Sequence, residues 1–553
     1  MRTLRAKTLL VAGGVGLLGA IAATVSFFLI LDVNRFRPSI ESTISDATGL
    51  EVRIRGKMKL SFFPFGVAAR DIHVAGTKGD IVSVESLRLA ADLLPLARKR
   101  LKVTRCVLVK PAVTIEREVD GTYNFERPER RPATGGPGVA FSLDRLTLSG
   151  GGLVYLDRKT GERSTLEDFN LAVSDLSIAG NALQTASFTG SADCREMQHK
   201  DVRVGNVRAT VRAAMGRLTI EPCTVGSLVY RDRKTGERTE LKEITLSLRD
   251  MSVAALGGDI LRNAAFTGDI GCRELRKQNL VIGDINSPFA AAKGVFHLKP
   301  VTMEIFGTKG GGEARLETSG AEPRYAINLQ VAHLDVEKLE HSFGLKRVVG
   351  GRGDLSADMT LTPAKNRPLL SGLNGTLSLR GDHLVIYTMD LDKLLSKYET
   401  SQEFNLVDLG AFFVAGPLSI LAVRGYRSGD LYRQTLGGQG VITRFNSHWT
   451  IRNGVAEARD CALATPHYRL AMKGRLDLVG NRYDNVTVAL LDDKGCATFR
   501  QSISGTFHNP RIDGPGVAGS FVGPIATLFR KTKRLVLGTC EVFYQGSVQP
   551  PSQ

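Results

Sequence analysis

Leu153-Val-Tyr-Leu-Asp-Arg-Lys-Thr-Gly-Glu-Arg163 returns, with one letter changed, as Leu228-Val-Tyr-Arg-Asp-Arg-Lys-Thr-Gly-Glu-Arg238. The register continues beyond the motif. Phe188-Thr-Gly190 recurs as Phe266-Thr-Gly268, Cys194-Arg-Glu196 as Cys272-Arg-Glu274, and Pro222 as Pro300. Two tandem copies of one unit, residues 153–225 and 228–303, therefore stack in the chain. In each copy Asp-Arg-Lys-Thr-Gly-Glu is a run of turn residues between apolar flanks, with a glycine free to take a positive φ. The motif reads as a hairpin tip, and Arg158, Lys159 and Arg163 as solvated turn residues rather than a phosphate site.

The same design recurs near the C-terminus. Leu470, Met472, Leu476 and Leu478 share one face, Arg475 and Asp477 take the other, and Gly480-Asn481 makes the turn into a strand carrying Val486, Val488 and Leu490. These seven apolar residues are the candidates for a lipid-facing surface. The 59 glycines, against one Trp and 20 prolines, suit many tight turns between strands. The fold expected is mainly β: an elongated, curved, groove-like sheet built from repeats, with a few short helices.

With 42% hydrophobic and 23% charged residues among 553, the chain is neither disordered nor polytopic. Its formal net charge of +17 favours anionic partners such as lipid headgroups. The charge is dispersed, without a basic arm or a basic motif interleaved with aromatics, which argues against nucleic acid.

Arg2, Arg5 and Lys7 precede an uncharged apolar run from Leu9 to Leu31 that includes Leu10, Val11, Leu17, Leu18, Ile21, Phe27, Phe28, Leu29 and Ile30. At helical rise the run spans a hydrocarbon layer of about 30 Å. Basic residues before it and Asp32 after it keep the N-terminus cytoplasmic and send the body across. A cleavable leader ending at Ala20-Ile-Ala22 is the alternative, but it would leave Phe27 to Leu31 exposed. A second apolar stretch, Leu406 to Val423, carries Asp408 and a Gly416-Pro417 break, and reads as a buried helix of the folded body.

Between Val33 and Glu126 lie, in order, Leu31-Asp-Val-Asn-Arg-Phe-Arg-Pro38, Thr48-Gly-Leu-Glu-Val-Arg-Ile-Arg-Gly56, Leu60-Ser-Phe-Phe-Pro64, Val84-Glu-Ser-Leu87, Leu93-Leu-Pro-Leu96 and Asp120-Gly-Thr-Tyr-Asn-Phe125. This stretch resembles the opening module of AsmA family proteins. Read from its residues alone, it gives a short helix capped at Asn34 and running to Ile44, then strands such as Glu51 to Ile54. The C-terminal part, from Phe289 on, is similar to the closing module of AsmA-like proteins at Phe404-Asn-Leu-Val-Asp-Leu-Gly-Ala-Phe-Phe-Val-Ala-Gly-Pro417, Val486-Thr-Val-Ala-Leu490, Gly495-Cys-Ala497 and Cys540-Glu-Val-Phe-Tyr544. The domains expected are an anchor at 1–32, an N-terminal module at 33–126, a linker at 127–138, the repeats within 139–288, and a C-terminal module at 289–553.

Seven cysteines, at 106, 194, 223, 272, 461, 496 and 540, include no Cys-x-x-Cys, so a zinc site is not expected. Cys194 with Cys223, and Cys496 with Cys540, are candidate disulfides between neighbouring strands; unpaired buried thiols are the alternative. There is no nucleophile elbow, phosphate loop, His-Glu-x-x-His or EF-hand sequence. Gly310-Gly-Gly312 reads as a bulge or tight turn, and His333 and His341 as satisfied residues rather than ligands. No enzyme, cofactor or metal is expected.

The resemblance implies an inner-membrane protein with a periplasmic body, acting in outer-membrane biogenesis and in lipid traffic along a β-groove. Its partners would be the inner membrane, phospholipid or another anionic lipid, other envelope proteins or a second copy. The competing expectation is a scaffold that transports nothing. The segment Val517 to Leu537, with Arg530, Lys531, Lys533 and Arg534, could lie on an anionic surface or form an amphipathic core helix.

Overall fold

The computed structural model describes residues 33–38, 50–62, 65–76, 79–91, 103–125, 141–178, 186–252, 265–344, 347–387, 390–398, 438–512 and 542–551, isolated positions aside. The expected anchor and its topology residues, the linker at 127–138, the stretch 406–423, the segment 517–537 and Cys540 lie outside them. Among the described residues no helix is long and apolar enough to cross a membrane. The chain is mainly β and divides into two compact units, residues 1–233 with 252–254, and 234–251 with 255–553.

The first unit contains β1 (Glu51–Ile54), β2 (Lys59–Phe62), β3 (Phe65–Ala75), β4 (Asp80–Ala91), β5 (Val103–Arg117), β6 (Phe141–Asp157), β7 (Glu162–Ile178), β8 (Ser187–His199), β9 (Val202–Ala214) and β10 (Arg217–Arg231). Strand β3 pairs with both β1 and β2, and from β3 each strand lies beside the next in sequence. One joint differs: β5 and β6 run parallel, from Arg105 opposite Arg145 to Arg117 opposite Asp157. The two flanks of the expected linker are thus joined in one ladder. Asn34 sits in a 3-10 turn, Val33–Phe36, and its side chain bonds both backbone groups of Met58, at 2.9 and 3.3 Å; Arg37, Pro38, Glu41, Ser42 and Ser45 beyond it are helical.

The motif Asp157 to Glu162 is a hairpin tip between β6 and β7. Asp157 accepts hydrogen bonds from the amides of Lys159 (2.9 Å) and Thr160 (3.0 Å), and Gly161 turns the chain with φ +72°. The Thr160 amide is the main reason the Asp157 carboxyl titrates below the ordinary carboxylate range. In the second copy Gly236 also has φ +72°.

The second unit contains β11 (Arg238–Ser252), β12 (Phe266–Lys277), β13 (Leu280–Ala292), β14 (Val295–Ile305), β15 (Thr308–Glu317), β16 (Arg324–Asp335), α1 (Val336–Ser342), β17 (Val349–Gly350), β18 (Arg352–Leu361), β19 (Leu373–Ile386), α2 (Leu391–Tyr398), β20 (Gly440–Arg452), β21 (Val455–Ala464), β22 (Arg469–Asp477), β23 (Arg482–Leu491), β24 (Ala497–Gly505) and β25 (Pro510–Ile512). They form an antiparallel ladder in chain order from β11, with β16 passing directly to β18 and β17 resting on β19. Asp335 caps α1 by accepting from the amides of Glu337 and Lys338. One repeat is four strands: Cys194 on β8 and Cys272 on β12 sit identically, each donating to the carbonyl two residues on and to one on the preceding strand.

Two expectations change here. Gly310 to Gly312 form no turn but lie inside β15, opposite Val331, Gln330 and Leu329. A Cβ on Gly312 would stand 1.9 Å from the Asn328 carbonyl oxygen, so close backbone approach requires the glycine. Cys194 and Cys223 are both free thiols. The meander puts β9 between their strands, with Cys194 opposite Val207 and Cys223 opposite Ala209. Two strand spacings, about 9.6 Å, exceed disulfide reach. Cys496 is disulfide-bonded; its expected partner, Cys540, lies outside the described residues.

Candidate functional site

Pairing across the first unit aligns apolar side chains into rows that run from strand to strand. One row is Val67, Leu89, Cys106, Leu146, Val173, Gly190, Val211 and Ile220. A second is Ala69, Leu87, Leu108, Leu148, Leu171, Ala192, Ala209 and Cys223. A third is Val74, Val82, Val113, Leu153, Leu166, Met197, Val204 and Leu228. Register partners share a face, so each row is one apolar track across β3 to β10.

Strict alternation would put the third row on the opposite face from the first two. A transverse crease changes this in five of the eight strands. Asp71 on β3, Lys110 on β5, Gly150 on β6, Asp168 on β7 and Asn206 on β9 all have positive φ, between 46° and 64°. They fall along one line, with Lys110 beside Gly150. In the five strands that carry one, the left-handed residue resets the pleat, so on β7 Leu171 and Phe169 above the crease share a face with Leu166 below it. Asp and Asn tolerate this conformation better than branched residues do.

At one end this face is covered. Val52, Ile54, Met58, Ala69, Ile72 and Val84 form a small buried core, and Val67, Val74, Val82, Leu87 and Leu108 pack against it. Beyond β5 the burial is partial, although Leu143, Val173, Cys194 and Ala213 are still buried. Leu146, Leu148, Leu153, Leu166, Leu171, Val204, Ala209 and Val211 are all half-buried, and Met197 is 42% exposed. The alternate positions Thr189, Ser191 and Asp193 on β8, and Arg208, Thr210 and Arg212 on β9, are exposed and polar. Among the described residues, the first unit therefore carries rows of apolar side chains that are largely half-buried.

The seven residues expected to face lipid lie elsewhere. Leu470, Met472, Leu476, Leu478, Val486, Val488 and Leu490 belong to the second unit and are only 0–9% exposed. They pack with Leu377, Trp449 and Cys461 in a closed core, whose dryness pushes the Cys461 thiol up to about 12. Their opposite face is covered too. Ala462, Ala471 and Ala489 pack beneath Tyr544 and Val548 of the returning C-terminal segment. Arg469, itself buried, fastens that segment by donating to the Val548 carbonyl, and Tyr544 donates to Asp460.

Among the described residues no group of His, Cys, Asp and Glu is arranged to hold a metal ion. What the site offers is apolar area. Burying a methylene against such a surface is worth about 0.8 kcal/mol, so a long acyl chain gains on the order of 10 kcal/mol. The apolar tracks were legible only in part, because the crease breaks the period that identifies a strand face. Positive-φ candidates such as Asp168 and Asn206, out of step with the alternation around them, were the available signal.

In comparison with known proteins, residues 3–221 and 267–421 fit the model of the AsmA family. Nothing among curated proteins matches, and no solved structure matches.

Proposed function

The chain belongs to the AsmA family, and on that premise we propose that its first unit holds phospholipid acyl chains along the apolar tracks of β5 to β10. The reading includes an inner-membrane anchor at Leu9 to Leu31 and a body outside the cytoplasm, so that lipid leaving the membrane meets an apolar surface. The half-buried state of Leu146, Leu148, Leu153, Leu166, Leu171 and Val204 carries it, since a soluble fold normally covers apolar area of this extent. No bond is made or broken. Two sixteen-carbon chains crossing water would expose about 25 kcal/mol of hydrocarbon, and an apolar track offsets most of that cost.

The second reading, a scaffold that transports nothing, is favoured by one observation: the core around Met472 and Trp449 is filled by its own side chains. Mass spectrometry of lipids retained by the full chain in mild detergent separates the two. At least one phospholipid per chain is expected. Retention no greater than that of an unrelated single-anchor protein would end the transport reading.

A further inference from the structure

The third apolar row of the first unit has a polar neighbour on its own face. Ile115, Tyr155, Ser164, His199, Val202 and Tyr230 are register partners from β5 to β10. Each stands two residues along its strand from Val113, Leu153, Leu166, Met197, Val204 or Leu228 of the third row, with no register shift and no left-handed residue between them. Strict alternation therefore puts the two rows on one face. On β5, β6, β7 and β9 the crease keeps the first two apolar rows on that face as well.

The polar row is amphipathic. Ser164 Oγ and His199 Nδ1 are 2.7 Å apart, so whichever of them donates, the pair keeps a donor to spare, either the hydroxyl or the Nε2–H. Tyr155 is half-buried and Tyr230 is 42% exposed, and among the described residues neither hydroxyl has a hydrogen-bond partner. Tyrosine suits a boundary between hydrocarbon and water, with its ring on one side and its hydroxyl on the other. Past this row lie the hairpin tips, where Arg117 pairs with Asp157 (3.5 Å) and Lys200 with Glu162 (2.8 Å). From the tips inward, the face passes from ions to hydroxyls and imidazole, and then to hydrocarbon. The second copy of the repeat carries the same design, with Tyr230, Thr239, Lys277 and Leu280 in the places of Tyr155, Ser164, His199 and Val202. Thr239, Lys277 and Leu280 are again register partners, so a hydroxyl stands beside a nitrogen donor in both copies.

We propose that Tyr155, Ser164, His199 and Tyr230 bind the polar end of a phospholipid whose acyl chains lie on the apolar tracks of the same face, so that each lipid is held with its headgroup towards the hairpin tips of β6–β7 and β8–β9. The inference rests on the lipid-holding reading and adds a polarity to it. The Ser164–His199 pair donates to the phosphate, and the tyrosine hydroxyls donate to the glycerol esters. The dimensions agree. From Leu153 back to Leu146 the strand covers about 23 Å, whereas the chains of one bilayer leaflet reach about 15 Å, half of the hydrocarbon core.

The test uses the full chain in a neutral detergent, titrated separately with short-chain phosphatidylcholine and with diacylglycerol of equal chain length, which lacks the phosphate. Wild type is expected to bind phosphatidylcholine about 10-fold more tightly, the worth of one or two hydrogen bonds to a charged group. S164A/H199F is expected to lose that preference while keeping its affinity for diacylglycerol. T165A/Q198A, which changes the register pair on the opposite face, is expected to keep both. Equal wild-type affinity for the two lipids, an unchanged preference in S164A/H199F, or a loss in T165A/Q198A instead, overturns the polar row and leaves the tracks standing. Binding of neither lipid removes both readings. Phosphatidylcholine with a photoreactive group at its chain ends gives a second measurement that needs no variant. Cross-links at Leu146 and Val173 are expected, and capture at Tyr155 or His199 would reverse the polarity and overturn the proposal.

Discussion

Glu340 is a carboxylate folded into a place where charge is expensive. It lies on α1, 9% exposed, and accepts hydrogen bonds from the amides of Val348 (2.9 Å) and Val349 (3.1 Å). Those bonds favour the ionised form, but burial outweighs them and pushes the carboxyl from 4.5 up to about 7, with Glu337 adding repulsion and Arg347 opposing it. The folded state therefore binds a proton that the unfolded state releases between pH 4.5 and 7, and stability falls as pH rises across that window. Glu340→Gln should flatten this dependence and stabilise the protein by about 1–3 kcal/mol at pH 8. Urea unfolding at stepped pH measures it; a variant with the wild-type slope would show that another group controls the titration. Nothing in Val336-Glu-Lys-Leu-Glu-His-Ser342 marks Glu340 as different from Glu337. Its burial depends on β17, which arrives only after the loop closes.

At the scale of strands, the same apolar alternation has two fates. Ala209 on β9 and Met472 on β22 sit in strands of similar composition, yet Ala209 is half-buried and Met472 is 2% exposed. Met472→Ala should cost about 2–5 kcal/mol, because the cavity it leaves is enclosed. Ala209→Asp should cost less than about 1 kcal/mol, because water can reach the new carboxylate, and should lower lipid retention several-fold. Chemical denaturation and lipid mass spectrometry on the same two variants check both halves. Loss of stability without loss of lipid in Ala209→Asp would assign the surface to packing. Hairpin tips were readable because Asp157-Arg-Lys-Thr-Gly161 solves its hydrogen bonds locally. The choice between an open and a filled face was not. It is decided by what covers the strand, and for β21 to β23 that cover includes Tyr544 and Val548, far away in sequence. The Cys194–Cys223 pairing failed for the same reason in reverse: closeness in sequence hid an intervening strand.

For the molecule as a whole, the mainly β character and the repeat followed from the duplicated motif and the glycine content, whereas the division at Arg233 and Lys234 falls within the second copy of that motif and left no mark in composition. The compartment is the next quantity to measure. A reporter active only outside the cytoplasm, fused after Gln553, should be active, and should fall silent when residues 2–31 are removed. Activity on the cytoplasmic side instead would place the tracks where no envelope lipid reaches them. The parallel joint of β5 and β6 also bears on how the chain acquires its structure. Antiparallel neighbours zip together through short turns as they emerge, but a parallel pair cannot form until the chain has returned from the end of β5 at Arg117 to the start of β6 at Phe141. The strands before that seam and those after it should thus mature as separate folding nuclei, with their late docking the slow step and the unpaired edge of β5 the exposure that a chaperone would have to guard.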